Sequence, residues 1–134
     1  MMRWLKQVYV GALLLALSAC AANPLRYADT LEQRGYAAYG TFVIAEESVA
    51  RLTAPGSTLP RDAQLSMIGV AERAQPVVDD LRSTLAEYQT ARADFEAQRV
   101  EVGAFQTVVN SLNDWVTRAE KVVAELLAST KRRE

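Results

Sequence analysis

Val102, Phe105, Val109, Leu112, Val116, Ala119, Val123 and Leu126 recur at spacings that alternate three and four residues without a fault. Only a helix places such residues on one face, because 3.6 residues per turn brings positions three and four apart into register. Val108, Trp115 and Val122 run parallel to this stripe and widen it, as suits a helix packed against two neighbours. A helix of this kind cannot bury its own apolar face, so at least two further helices must cover it.

The rest of the chain supplies them. Leu31, Gly35, Ala38, Phe42, Ala45, Val49 and Leu52 form a second stripe, whose small members leave room for close backbone approach. Asp29 is read as its N-cap, with Glu32 three residues on in a capping-box arrangement. Residues 36–44 also allow a strand reading, but the cap signals and the stripe favour helix. Gly35 and Gly40 each lower helix propensity by about 1 kcal/mol relative to Ala, so a packing or functional reason is expected at both.

Residues 54–59, with Pro55, Gly56, Ser57 and Thr58, form the clearest turn, and Pro60 suits the first position of the next helix. In that helix Leu65, Ile68 and Ala71 mark an early apolar face, and Val78, Leu81, Leu85, Tyr88 and Phe95 a later one interrupted by Arg92. Pro76 lies between them and is expected to kink or break the helix near residues 73–75. The least marked junction is 96–103, where a column from Leu81 through Phe95 to Val123 would allow one continuous helix of about 105 Å. The companion column slips by one residue there, so a hairpin turning near residues 98–101 is expected. The reading is an all-α, three-helix antiparallel bundle with coiled-coil-like packing over residues 28–134.

The amino terminus is of another kind. Arg3 and Lys6 precede an apolar run from Val8 to Leu17, followed by small residues and Cys20. That order describes a secretory signal peptide over residues 1–19, and its apolar run is about half the roughly 20 residues needed to cross a bilayer. Leu17-Ser18-Ala19-Cys20 resembles the lipobox of bacterial lipoproteins at every position. The resemblance implies cleavage before Cys20, a diacylglycerol on its thiol and an acylated new amino terminus. Two or three acyl chains together give stable membrane residence. Ala21, rather than Asp, implies sorting to the inner leaflet of the outer membrane, facing the periplasm. Residues 20–27, with Pro24, are read as a linker spanning at most about 24 Å.

Residues 31–44, together with residues 73–76, further resemble small uncharacterised helical lipoproteins of proteobacteria and their phages. That resemblance implies a helical bundle; the family carries no assigned activity, so it implies nothing about mechanism.

Chemistry is narrowed by what the sequence lacks. The chain has one Cys and no His, which excludes an intrachain disulfide, the usual zinc ligand sets and nucleophiles that depend on a His base. Glu46-Glu47 and Asp79-Asp80 are adjacent pairs that point about 100° apart on a helix, and they read as solvated faces. No Gly-rich phosphate loop or calcium loop is present. Loss of Arg3 and Lys6 with the leader takes the net charge from −1 to about −3. Without a basic stripe, nucleic acid is not an expected partner. Lys131, Arg132 and Arg133 complement a helix C-terminus; contact with anionic headgroups is the alternative.

The expectation is a non-enzymatic, lipid-anchored structural or partner-binding protein of the bacterial envelope, with no cofactor or metal and another envelope protein as candidate partner. Trp115 is the candidate anchor for that partner. One alternative is a module for a small apolar ligand or lipid fragment, held near Tyr36, Tyr39 and Phe42. Another is a prophage-encoded lipoprotein acting in exclusion or lysis.

Overall fold

The computed structural model describes residues 24–132, so the leader, Cys20 and Arg133 lie outside the described residues. Three helices follow in order: α1 (Pro24–Leu52), α2 (Arg61–Glu96) and α3 (Val102–Lys131). They form the all-α three-helix bundle, each helix packing on the other two. The chain runs up, down and up, so sequence neighbours are antiparallel while α1 and α3 are parallel. The parallel pair holds one register: the Tyr27 hydroxyl donates to Asn113 Oδ1 at 3.3 Å, and Arg34 pairs with Glu120, both 86 residues apart.

The α3 stripe is buried from Phe105 to Leu126, whereas Val102, in the first turn, is 58% exposed. It contributes to two core clusters. One holds Leu31, Leu81, Leu85, Tyr88, Phe105, Val109 and Leu112, capped by Phe95 stacked on Phe105 at 4.6 Å. The other, towards the far end, holds Phe42, Ala45, Val49, Met67, Val78, Val123 and Leu126.

Helix α1 begins at Pro24, five residues before the expected cap at Asp29. Proline is well placed at a first helical position, where its missing N–H has no intrahelical partner to lose. The linker read over residues 20–27 therefore ends before Pro24, and Ala28 is already fully buried. Asp29 and Glu32 are not a capping pair. Both turn to Arg92 on α2: Asp29 Oδ1 pairs with its Nη1, and Glu32 Oε2 lies 3.6 Å from the same nitrogen.

The bundle differs from the sequence reading in α2 as well. Leu65 is 50% exposed, and the early buried face is Ala63, Met67 and Ala74, which continues the Val78 to Tyr88 stripe backwards. Pro76 does not break the helix, which runs through it. Its ring and Glu72, whose carbonyl loses the Pro76 N–H, are both exposed, so water can serve that carbonyl. Pro60 is the N-cap residue, one position before the helix, and Gly56 takes the positive φ of 92° that the turn requires.

The hairpin between α2 and α3 closes over residues 97–101, ruling out the continuous helix. Gln98 adopts φ 57°, Arg99 N–H donates to Asp94 O at 2.8 Å and Gln98 N–H to Phe95 O at 3.0 Å. This is a Schellman C-cap with Gln where Gly is usual. Where an apolar contact normally closes the motif, Arg99 pairs with Asp94 at 3.3 Å.

The two glycines of α1 have different settings. A Cβ at Gly35 would meet Leu85 Cδ2 at 3.0 Å and Val116 Cγ2 at 3.4 Å, so this position lets α1 approach both neighbours closely. At Gly40 nothing lies within 4 Å, and no packing reason exists inside the bundle.

Candidate functional site

Residues 35–45 of α1 carry no charge, although 23% of the chain is charged. Their inward members, Gly35, Ala38, Phe42 and Ala45, are core. Their outward members are therefore apolar without being buried: Tyr36 is 47% exposed, Val43 39% and Ile44 62%, with Ala37 and Gly40 between them. Apolar side chains grouped on one outward helix face are the usual mark of an interaction surface.

A groove flanks this ridge on each side. Between α1 and α2, a groove of about 310 Å³ is lined by Tyr36, Tyr39, Arg82, Leu85, Ala86 and Gln89. The Gln89 amide donates to the Tyr36 hydroxyl across it. The sequence pairing of Tyr36 with Tyr39 is thus realised, while Phe42 does not join them because it is buried in the core. Between α1 and α3, a groove of about 300 Å³ is lined by Ala37, Ala38, Thr41, Val123, Ala124 and Leu127, and the Arg34–Glu120 pair also borders it. Glu120 raises the Arg34 pKa by accepting its hydrogen bond. Both grooves open to solvent, and their walls are mainly apolar.

Trp115 lines neither groove. It is half-buried against the core cluster of Leu81 and Phe105, and the Arg118 guanidinium sits 4.9 Å over its ring. The indole is thus already packed on one side and covered by a cation on the other.

The charged cluster at the start of α1 was not anticipated. Arg92, which interrupts the α2 stripe, meets Asp29, Glu32 and, at 2.9 Å, Glu96. Tyr88 is fully buried beneath it, its hydroxyl 3.4 Å from Asp29 Oδ1. Burial, with the nearby carboxylates of Asp29 and Glu32, pushes the Tyr88 phenol up to about 12 against the opposing pull of Arg92. This is a clasp between α1 and α2 in which one cation serves three carboxylates. The only sequence signal for it was Arg92 itself, a cation in an apolar column.

Glu46, Glu47, Asp79 and Asp80 are all exposed, and Asp79 accepts from the Gln75 amide at 2.9 Å. Among the described residues no cluster of acidic, Cys or His side chains could hold a metal ion, and no helix is long and apolar enough to cross a membrane. Compared with protein families, curated proteins and solved structures, the chain shows no match.

Proposed function

We propose that this chain is a lipid-anchored protein of the bacterial envelope, a non-enzymatic bundle that works by binding a partner at the membrane surface. The observation that carries the proposal is the Leu17-Ser18-Ala19-Cys20 lipobox at the end of a basic-then-apolar leader, only three residues before the helical body. Acyl chains on Cys20 would hold the start of α1 within about 14 Å of the headgroups, four peptide steps at about 3.4 Å each. Ala21 favours the inner leaflet of the outer membrane, with the bundle in the periplasm. In the fold, Lys131 and Arg132 end α3 at the opposite end from Pro24, which favours their role as complements to the helix dipole over headgroup contact.

The body's contribution is the apolar ridge of α1, where, among the described residues, large exposed apolar side chains are grouped together. A small apolar ligand in the Tyr36 and Tyr39 groove is the second reading, favoured by the 310 Å³ volume and the Gln89 contact that fixes Tyr36. Native mass spectrometry of the purified chain with and without Tyr39→Ala tests that reading: a bound mass lost in the variant supports it, and a bare chain removes it.

The anchoring proposal is tested by fractionation and intact mass. The unaltered protein should sediment with membranes and carry acyl mass, and Cys20→Ser should lose both. A Cys20→Ser chain that stays with the membrane would defeat the proposal.

A further inference from the structure

We infer that the outward face of α1 is a self-association surface on which a second copy of this chain docks antiparallel, the two helices crossing at Gly40. This inference does not depend on acylation of Cys20.

The fold itself gives no use for Gly40, which weakens α1 and has open space where its side chain would be. A glycine in the middle of an exposed apolar ridge lets another backbone come close. The ridge around it is self-complementary when reversed. Tyr36 and Ile44 each lie four residues from Gly40, so in the antiparallel pair the Tyr36 ring of one copy fits beside Ile44 of the other. Ala37 and Val43, three residues away, are set against each other likewise, a small side chain opposite a larger one.

Charge selects the direction. Along the same face, Gln33 and Glu47 stand seven residues from Gly40, and Asp29 and Arg51 eleven. Reversing one helix sets Gln33 against Glu47 and Asp29 against Arg51, twice over by symmetry. A parallel pair would set Glu47 against Glu47 and Arg51 against Arg51. The Asp29 side chain keeps 39% exposure beside Arg92, so it can meet a second cation.

The area sets the strength. From Asp29 to Arg51, the stretch that faces helix in both copies, the face is about 35 Å long and about 10 Å wide, near 350 Å² per copy and about 700 Å² for the pair. Stable dimers bury about 1,200 Å² or more, so this pair is weak and concentration-dependent.

Cysteine pairing in the full-length chain tests the geometry. At the symmetry axis Gly40 meets Gly40, within the separation a disulfide spans. Under mild oxidation Gly40→Cys should give several-fold more disulfide dimer than Thr117→Cys, an exposed position on α3, or than the parent chain with Cys20 alone. Co-expressed Gln33→Cys and Glu47→Cys should pair with each other in preference to themselves. Gly40→Leu, whose Cβ enters open space on an exposed helix face, should keep its helicity and lose the concentration-dependent dimer in sedimentation. Pairing at position 40 no greater than at position 117 would overturn the proposal, as would preference for like pairs. Protection of Gly40→Cys from a thiol reagent without dimer formation would assign the face to lipid or another protein instead, and would equally defeat it.

Discussion

Gly35 and Gly40 lie five residues apart on one helix, and replacing each by alanine should move stability in opposite directions. The intrinsic term is the same for both: alanine in a helix interior is about 1 kcal/mol more favourable than glycine, mostly through the entropy of the unfolded chain. At Gly40 nothing opposes it, because no atom lies within 4 Å of the added methyl. Gly40→Ala should therefore stabilise the bundle by about 1 kcal/mol. At Gly35 the methyl arrives 3.0 Å from Leu85 Cδ2 and 3.4 Å from both Leu85 Cδ1 and Val116 Cγ2. Leu85 is almost fully buried, so its side chain has little room to retreat, and overpacking of this kind costs about 1–3 kcal/mol. The net effect of Gly35→Ala lies between zero and about 2 kcal/mol of destabilisation.

For a chain of this size, a rise of about 1 kcal/mol corresponds to roughly 3–5 °C in Tm. Urea unfolding followed by circular dichroism, at concentrations low enough to exclude dimers, gives the free energies directly. If Gly35→Ala proves as stabilising as Gly40→Ala, the helices are not held at the separation described, and the contrast drawn between the two glycines fails.

Gln98→Gly should raise stability by about 1 kcal/mol in the same assay, since a left-handed residue other than glycine is strained by about 1–2 kcal/mol. Tyr88 supplies a pH dependence: its folded pKa is raised from 10 to about 12, so the stabilisation is fully present below pH 10 and is lost as pH rises through 12. Alkaline titration of phenolate absorbance should show one tyrosine ionising near 12 in the native chain, absent from Tyr88→Phe. Arg92→Leu leaves Asp29, Glu32 and Glu96 without their shared cation and should cost about 1–2 kcal/mol, discounted for partial exposure. That loss should shrink in about 1 M salt, where screening acts within about 3 Å; a loss independent of salt would mean that Arg92 acts by packing its stem.

The parts of the fold legible in sequence were those governed by periodicity. The α1 and α3 stripes name the buried residues almost one for one, because each helix has one inner face and the apolar residues mark it. Helix α2 is less legible: its early buried positions are Ala63, Met67 and Ala74, while the larger Leu65 and Ile68 stand off the axis of the stripe and draw the face round by about a third of a turn. The helix ends are obscure for a different reason. Asp29 with Glu32 has the spacing of a capping box, and the same spacing puts both carboxylates on the side of α1 that meets Arg92; only the position of α2 decides between the two uses. The Schellman turn at Gln98 lacks the glycine that usually announces it, and what stabilises it instead, the Arg99–Asp94 pair, has no distinctive sequence pattern.

Exposed sites follow a different logic from cores. A buried position is constrained by repeated contacts, so its neighbours in the stripe predict it, whereas Ile44 is exposed and Gly40 has open space where a side chain would be. What marks them is a departure from the chain's own habit: eleven residues without charge on a helix that needs only half of them for its core. Gly40, Val43 and Ile44 are exposed and could carry charged side chains with little effect on the core, and doing so would add solubility. A chain with 31 charged residues elsewhere has such side chains in abundance. The absence of charge there is thus explained by something that covers this face, and a face that matches its own reverse in both size and charge names a second copy as the simplest cover.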